Sequence, residues 1–497
     1  MNFMMFQSTR DAGAAKVSAV FAIKQGLAAD GGLFVPEQVP SISREDIEKL
    51  CHDDYPTRAA KILSLFLTDY TYDELLTDCK EAYREDSFVG GAAPLVKVRD
   101  GLYSLELWHG PTAAFKDMAL QIMPRLLSRA LVKCGEKRTA LILVATSGDT
   151  GKAALEGYKD VDSVKIMVFY PVDGVSRVQK LQMATQAGSN VNVCAIRGNF
   201  DDAQNGVKAI FSDADAAQKL DKDGYFFSSA NSINWGRLAP QIVYYVSAYC
   251  DLICRGDIQM GETVDFCVPT GNFGNIFAAY LAKNMGLPIG KLICASNVNN
   301  ILTDFLRTGV YDRNRHFHLT MSPSMDILIS SNLERLLYFV AGTEKTSEYM
   351  ASLKNTGKYT VDADVLAKIN ETFVGYYADE DETAATIRKT FEQHGYLADT
   401  HTSVALTCAD KYLCESASKV PLVVASTASP YKFAADVYAS LTDEKPQDEL
   451  KALDMLSAST KTEIAYPLRE LDKRPVNFDT VIDPKDMLAE VYRYLAK

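Results

Sequence analysis

The chain has few of the features that mark membrane, metal-binding or nucleic-acid-binding proteins. No apolar run approaches the roughly 20 residues that a bilayer span requires. The 10 cysteines are scattered, and the closest pairs, Cys250 with Cys254 and Cys408 with Cys414, do not have a zinc spacing. The 52 lysines and arginines are outnumbered by 64 aspartates and glutamates, which gives a net charge of −12 and no basic stripe for nucleic acid.

These absences favour a soluble protein of a reducing compartment. The apolar start, Met1–Gln7, is too short for the core of a signal peptide, and Arg10 follows soon after it. His316 and His318 have a metal-like spacing, but no third ligand is evident, so no metal is expected. We expect a cytoplasmic protein with a small-molecule substrate and no nucleic-acid or membrane partner, as a monomer or homodimer.

With 497 residues the chain exceeds one ordinary hydrophobic core, so several domains are expected. Up to about residue 90, helix-like apolar spacing occurs in Ile42–Cys51, Tyr55–Tyr70 and Tyr72–Tyr83. From about residue 100, short apolar runs alternate with helical segments, which predicts parallel sheets. The predicted strands are Ala140–Ala145, Val164–Tyr170, Val191–Ile196, Val264–Val268, Leu292–Ala295 and Leu422–Ala425. The predicted helices are Val175–Ala187, Phe200–Phe211, Asn275–Asn284 and, in the main, Val361–Ala398.

The segment 108–119 presents Lys116 at the start of a helix. A Gly-Pro pair predicts a turn, and Thr112 can cap the helix that follows. Phe115 and Met118 can supply apolar walls, which would lower the pKa of the amine and make it a usable nucleophile and base. Taken alone, Lys116 is better explained as an ordinary surface lysine, and its neighbours in the sequence favour the catalytic interpretation.

A second segment indicates an anion site. It comes directly after a predicted strand and consists of Gly271, Asn272, Phe273, Gly274 and Asn275. Glycines let the backbone approach an anion, and free N–H groups and the helix dipole would face it. A plain strand-to-helix turn would need the same residues, and neither Walker nor dinucleotide-binding spacing is present. A reactive amine together with a phosphate site favours pyridoxal phosphate (PLP), which needs both.

A third loop follows the strand Ala140–Ala145. Its residues Thr146, Ser147, Gly148, Asp149 and Thr150 offer hydroxyl and N–H groups that could hold a carboxylate, and a generic helix cap is the alternative. Loops of this kind converge at the carboxyl ends of parallel strands, where α/β proteins bind ligands.

These motifs together give a specific resemblance. The chain resembles threonine synthases of the longer class found in fungi and many bacteria, in the tryptophan-synthase-β-like group of PLP enzymes with fold type II. The Lys116 segment and the loops at 146–151 and 271–275 match the family's motifs, as do Asp30–Pro36 and Pro323–Arg335. The resemblance extends from about residue 7 to 435. It departs from the family at Thr400, where proline is usual, and at Ser429, where histidine is common.

The resemblance implies the architecture. We expect an α/β protein of fold type II, with two parallel-sheet α/β domains and a mainly helical N-terminal domain. Residues 1–90 would form the threonine-synthase N-terminal domain and residues 91–435 the PLP-dependent catalytic core. Residues 436–497, which are charged and contain prolines, would form a C-terminal extension.

The resemblance also implies the reaction, the last step of threonine biosynthesis. O-phospho-L-homoserine and water would give L-threonine and phosphate by β,γ-elimination and replacement. Lys116 would hold PLP and move protons, the loop 271–275 would bind its phosphate, and Thr427 would place a hydroxyl against the pyridine nitrogen. The loop 146–150 would bind the substrate carboxylate. Asn231 and Arg237 would bind the substrate phosphate, since arginine offers phosphate a fork of donors.

Alternatives remain open at several of these positions. Thr427 could be an ordinary strand-end hydroxyl, Arg237 could pair with a carboxylate, and His109 could be a local hydrogen-bonding group rather than an acid or base. The rival function is a PLP lyase or synthase for another amino acid, such as serine, threonine or phosphoserine. A catalytically inactive small-molecule sensor is a third possibility, and the intact Lys116 argues against it.

Overall fold

The computed structural model describes residues 3–146 and 148–496. Its strands, in chain order, are β1 (Met5–Ser8), β2 (Val17–Ser18), β3 (Phe34–Pro36), β4 (Leu95–Arg99), β5 (Leu102–Glu106), β6 (Thr139–Ala145), β7 (Val164–Pro171), β8 (Val191–Ile196), β9 (Tyr225–Ser228), β10 (Val264–Pro269), β11 (Ile289–Ser296), β12 (Val310–Asp312), β13 (Lys358–Thr360), β14 (Phe373–Tyr377), β15 (Leu422–Ser426) and β16 (Val481–Ile482).

The α-helices of the same residues, in chain order, are α1 (Ala19–Gln25), α2 (Arg44–Cys51), α3 (Tyr55–Phe66), α4 (Tyr72–Ala82), α5 (Asp117–Leu120), α6 (Met123–Lys133), α7 (Asp149–Tyr158), α8 (Arg177–Ala184), α9 (Phe200–Ser212), α10 (Ala214–Lys222), α11 (Trp235–Leu238), α12 (Pro240–Arg255), α13 (Gly274–Asn284), α14 (Ile301–Thr308), α15 (Leu333–Thr356), α16 (Ala363–Thr372), α17 (Glu380–His394), α18 (Thr400–Ser416), α19 (Ala434–Thr442), α20 (Glu449–Thr460) and α21 (Met487–Leu495). Among the described residues, no helix has the length and apolar composition needed to cross a bilayer.

The N-terminal segment is mainly helical, as predicted. Ser43 and Thr71 form capping boxes at the starts of α2 and α4, and Asp54 caps α3. The sequence did not predict the small antiparallel sheet in the order β2-β1-β3, whose strands have only two to four residues. Strands this short leave too little alternation of apolar residues to be recognised.

The larger sheet has the strand order β14-β11-β10-β15-β5-β4. All neighbouring strands are parallel except β4, which runs antiparallel to β5 at one edge. Because β10, β15 and β5 are parallel neighbours, the loops that follow them leave the sheet at the same edge. The stretch 361–398 is mainly helical, as predicted, in α16 and α17, but the strand β14 lies between these two helices and was not predicted.

The smaller sheet is parallel throughout, in the order β16-β8-β7-β6-β9. Apolar side chains of α9 and α21 cover one of its faces; Met487 and Val491 of α21 are almost completely buried there. Burial of a side chain of this size contributes about 1.5–3 kcal/mol. The chain after residue 440 thus contributes both β16 and α21 to this layer. The expected α/β architecture with two parallel-sheet units is confirmed, whereas the boundaries at residues 90 and 435 stay a prediction.

Gly157 makes α7 and α5 fit together. A Cβ atom there would lie 1.8 Å from the carbonyl oxygen of Leu120, which belongs to the backbone and cannot move aside alone. Gly157→Ala should therefore lower the free energy of unfolding by about 3 kcal/mol, although alanine is normally the better helix former. Urea denaturation measures the loss.

Gly206→Ala in α9 is the matched control. There the added Cβ would meet Sδ of Met487 at 2.3 Å, near the end of a flexible side chain that can turn away. The loss should be clearly smaller than for Gly157→Ala. Equal losses would show that helix packing at Gly157 is not the constraint inferred here.

Candidate active site

Lys116 lies at the edge of the larger sheet where its parallel strands have their carboxyl ends. It directly precedes α5 and ends the loop after β5. The segment after β15 holds this loop by backbone hydrogen bonds: Phe115 N–H donates to the Thr427 carbonyl at 2.8 Å, and Ser429 N–H donates to the Ala113 carbonyl at 3.1 Å. The structure therefore brings Thr427 close to Lys116. Thr427 is buried, and its hydroxyl has no hydrogen-bond partner among the described residues.

Thr112 does not cap the helix, contrary to expectation. Its backbone N–H and its hydroxyl both donate to the Asp117 carboxylate, at 2.8 and 2.7 Å, because α5 begins only at Asp117. Burial raises the pKa of Asp117 to about 7. The two hydrogen bonds from Thr112 oppose this shift, because they favour the charged carboxylate. The side chain of Asp117 thus fixes the shape of the loop that carries Lys116.

The amine of Lys116 is poised to lose its proton. The side chain is half-buried, and Nζ lies 3.5 Å from the hydroxyl of Ser324. Desolvation is the main reason why its pKa falls to about 8; the Asp149 carboxylate opposes this shift, and the charges of Arg237 and Lys432 add to it. A good fraction of such an amine is uncharged near neutral pH, as a nucleophile or base requires.

The loop Gly271–Asn275 leaves its N–H groups without acceptors in the described part of the chain. Phe273 adopts the left-handed conformation, with φ of 62°. The carbonyl of Gly271 accepts a hydrogen bond from Ser330 Oγ at 2.7 Å, and that of Asn272 accepts one from Asn332 N–H at 3.0 Å. Among the described residues, the N–H groups of 271–275 have no acceptor. Free N–H groups at the start of α13 are what an anion needs.

Asn275 supports the same interpretation. Its Oδ1 accepts hydrogen bonds from the hydroxyls of Tyr244 and Tyr245, which fixes the amide. Its Nδ2 is buried and has no partner within the described part of the chain. Such a group is costly unless a ligand accepts from it. At Gly271 a Cβ atom would lie 2.7 Å from the Ser324 carbonyl oxygen. These residues therefore fit a phosphate group.

The loop after β6 is held together by its own side chains. The hydroxyl of Thr146 accepts hydrogen bonds from the N–H groups of Gly148 and Gly151, both at 3.0 Å. Gly148 has φ of 149°, a conformation that favours glycine. The side chain of Thr150 is half-buried. Ser147 lies outside the described residues. The predicted role of this loop toward a substrate carboxylate stays a prediction.

Asp149 is bound to the protein rather than free for a ligand. Its Oδ1 lies 2.7 Å from Nζ of Lys432 and accepts a hydrogen bond from Gln179 Nε2 at 2.8 Å. Burial alone would raise the pKa of Asp149, but the ammonium groups of Lys432 and Lys116 outweigh it and hold the pKa below its usual range. The sequence did not single out Lys432, since nothing local marks a lysine after a strand as buried.

Arg237 is a buried cation without a carboxylate. Its Nη1 donates to the Ala230 carbonyl at 2.7 Å, and its Nε has no partner among the described residues. Burial lowers its pKa to about 10. The described residues provide no carboxylate within 4.0 Å, which disfavours the domain-seam ion pair considered above. Asn231 is exposed, and its side chain makes only local contacts, to Ser232 and Ile233.

The structure shows the surroundings of Thr400 and Ser429, the two residues that depart from the family motifs. Thr400 is the first residue of α18 after the cap Asp399, a position where proline is tolerated and threonine needs no partner for its N–H. Ser429 precedes the short 3-10 helix Pro430–Phe433 and is completely buried. Next to Thr400, His401 Nδ1 lies 2.8 Å from Asp399, and its Nε2 accepts from Ser324 N–H at 3.1 Å. No local signal in the sequence marks this chain of contacts toward Lys116.

The remaining histidines have no place at this site. His109 contacts Glu106 at 2.8 Å and the Val89 carbonyl at 2.9 Å, which favours the local hydrogen-bonding interpretation. His316 and His318 are exposed and pack edge to face. In residues 3–146 and 148–496, no three histidine, cysteine or acidic side chains are arranged to hold a metal ion.

A half-buried lysine near a loop with unpaired N–H groups, at the carboxyl edge of a parallel sheet, is the arrangement expected of a PLP-dependent enzyme of fold type II. The family "Pyridoxal-phosphate dependent enzyme" matches residues 89–426. "Threonine synthase N terminus" matches residues 5–83 and "Threonine synthase, C-terminal" matches residues 402–483. The chain belongs to the threonine synthase family, and its cofactor is pyridoxal 5'-phosphate.

The similar proteins are named either threonine synthase-like 1 or threonine synthase. The chain is 41% identical over 445 residues to "Threonine synthase-like 1" of Pongo abelii, covering 86% of this chain and 59% of the relative. It therefore spans about three fifths of the length of that relative. It is 40% identical over 417 residues to the threonine synthase of Pseudomonas aeruginosa, covering 82% of this chain and 84% of that one. The PLP-bound threonine synthase of Brucella melitensis is 37% identical, with a TM-score of 0.88 and coverage of 99% and 100%.

The low pKa of Lys116 can be measured directly. In the full-length chain freed of PLP, reductive methylation of Lys116 should rise with pH around a midpoint of about 8, because only the uncharged amine reacts. Mass spectrometry of the Lys116 peptide follows the reaction. The exposed Lys49, whose pKa is raised by hydrogen bonding to Glu45, serves as the control and should titrate more than two pH units higher. Coincident curves would disprove the desolvation of Lys116.

Proposed function

We propose that the protein converts O-phospho-L-homoserine and water into L-threonine and phosphate. The family membership and the name of the Pseudomonas aeruginosa relative support this activity. The relatives called threonine synthase-like 1 make the activity a proposal rather than a consequence of the similarity. The geometry around Lys116 supplies the argument that favours a phosphorylated substrate.

The observation that carries the proposal is the presence of two anion-binding features near one amine. The loop Gly271–Asn275 offers free N–H groups, and Arg237 offers a buried guanidinium without a carboxylate. The cofactor has one phosphate, which occupies only one of them. In the proposed assignment the loop 146–150 binds the substrate carboxylate, so the buried guanidinium of Arg237, which costs free energy unless an anion pairs with it, favours a second anionic group on the substrate.

The residues divide between cofactor and substrate as follows. We propose that Lys116 and the loop Gly271–Asn275 hold PLP, with Thr427 beside its pyridine nitrogen. Arg237, with Asn231 at the exposed end, would bind the substrate phosphate. The loop 146–150 would bind the substrate carboxylate through its remaining groups, since the N–H groups of Thr146 and Gly148 and the carboxylate of Asp149 are engaged within the protein.

PLP, when bound, supplies an electron sink that stabilises negative charge at the substrate carbons. The chain supplies the proton transfers. Lys116 Nζ would take the proton from Cα of the substrate, and the hydroxyl of Ser324, 3.5 Å away, keeps the amine oriented. The same amine, with its pKa of about 8, can return a proton later, because both protonation states are populated near neutral pH. Arg237 would stabilise the leaving phosphate.

The assay is phosphate release from O-phospho-L-homoserine, with amino-acid analysis of the product. We expect equal amounts of phosphate and threonine. Lys116→Ala should abolish both, because it removes the amine that would hold the cofactor and move the Cα proton. Phosphate with 2-oxobutyrate instead of threonine would favour the rival lyase, and no phosphate from a PLP-loaded protein would refute the proposal.

Arg237→Gln tests the second anion site. We expect the KM for O-phospho-L-homoserine to rise about 10–100-fold, the value of one or two hydrogen bonds to a charged group, with little change in PLP affinity. Steady-state kinetics and an absorbance titration with PLP measure the two quantities.

Arg58→Gln is the matched control, since Arg58 is also buried but pairs with Asp251 at 2.6 Å, away from Lys116. It should lower stability and leave the KM unchanged. Equal losses of PLP and substrate affinity in Arg237→Gln would remove Arg237 from the substrate site.

A further inference from the structure

We propose that Lys432 is a positioning residue for Lys116: it joins the Lys116 loop to α7 and α8 across the two sheets and neutralises Asp149 beside the amine. This inference rests on the proposed function only for its consequence in turnover. The geometry and its test concern the protein without substrate.

Every hydrogen-bond donor of the Lys432 ammonium has an acceptor in the protein. The Lys432 side chain has no exposed surface. Nζ lies 2.7 Å from Asp149 Oδ1 and donates to the Thr112 carbonyl and to Gln182 Oε1, both at 3.1 Å. A lysine ammonium has three donors, and these three acceptors use all of them. Lys432 therefore has no donor left for a ligand, and its effect must pass through its neighbours.

The three acceptors belong to different parts of the fold. Asp149 begins α7 after β6, and Gln182 lies in α8 after β7, so both follow strands of the smaller sheet. Thr112 lies in the loop after β5, and Lys432 follows β15, so both belong to the larger sheet. One buried amine thus fixes the two sheets to each other next to Lys116. A buried polar network of this kind is tolerated only when every member is paired.

The charge of Lys432 also affects the pKa of the Lys116 amine. The charged groups that act on the Lys116 amine are Asp149, Arg237 and Lys432. Asp149 favours the ammonium form of Lys116, whereas Arg237 and Lys432 favour the uncharged amine. Without Lys432, the carboxylate of Asp149 would have Gln179 and Lys116 as partners and would draw a proton onto Lys116. Less of the uncharged amine would then be present at neutral pH.

The test measures the pH midpoint for reductive methylation of Lys116 in full-length protein freed of PLP. Lys432→Met, which keeps the length and removes the charge, should raise the midpoint by about one pH unit or more. Asp149→Asn should lower it, because it removes the charge that favours the ammonium form. The double variant should lie between the two, and Lys432→Arg, which keeps the charge, should stay close to the unmodified protein.

Lys152→Met is the matched control. Lys152 is also a buried lysine. It lies in α7, the helix that Asp149 begins, and pairs with Glu156 at 3.0 Å. It does not act on Lys116. It should lower the melting temperature without moving the midpoint, whereas a purely structural role of Lys432 predicts the same behaviour for both lysines.

The outcomes are distinct. An unchanged midpoint in Lys432→Met, or an equal shift in Lys152→Met, overturns the inference. If Lys432→Met does not fold, the downward shift in Asp149→Asn decides, and its absence overturns the inference too. Opposite shifts in the two single variants support it, even if the protein releases no phosphate from O-phospho-L-homoserine. In that case the proposed function fails and the positioning of Lys116 stands.

Discussion

The parallel pairing of β15 with β5 and β10 is the constraint on which the site depends. These three strands come from distant parts of the chain, yet they are neighbours in one sheet. Their carboxyl ends therefore present the Lys116 loop, the segment around Thr427 and the loop Gly271–Asn275 at one edge. The backbone hydrogen bonds of Phe115 and Ser429 then fix the first two segments to each other. Neither loop could hold its geometry alone.

The second sheet contributes a buried polar network. Asp149, Gln179 and Gln182 of α7 and α8 place buried polar side chains toward the larger sheet, beside apolar contacts such as that of Val178 with Ala113. Such an interface is less stabilising than an apolar one of equal area, and it requires exact pairing of donors and acceptors. In return, the interface sets the electrostatic environment of Lys116 from both sides. Any change in how the sheets sit would alter that environment, so fold and reactivity are coupled here.

The sequence predicted those parts of the fold and site that depend on local chemistry. The Lys116 segment and the loop at 271–275 were recognisable because glycine, proline and asparagine mark turns next to apolar strands. β14 was missed because it has only five residues between two helices, too few for its alternation to be recognised. Lys432 and the contacts of His401 with Asp399 and Ser324 were missed because their partners are set by tertiary structure. The cap predicted at Thr112 failed because α5 starts later than the turn suggests.

The charge around Lys116 contrasts with that of the whole chain. The protein has a net charge of −12, yet the charges of Arg237 and Lys432 both act on Lys116, with Asp149 as the acidic neighbour. Buried cations of this number repel one another, and one carboxylate does not balance them. The phosphate of PLP and, in the proposed complex, the phosphate and carboxylate of the substrate provide the missing negative charge. Because ligands that bind only the folded state stabilise it, occupancy of this site and stability of the fold rise together. An acidic protein can therefore bind a dianionic substrate, provided that its positive charge is buried where the substrate arrives.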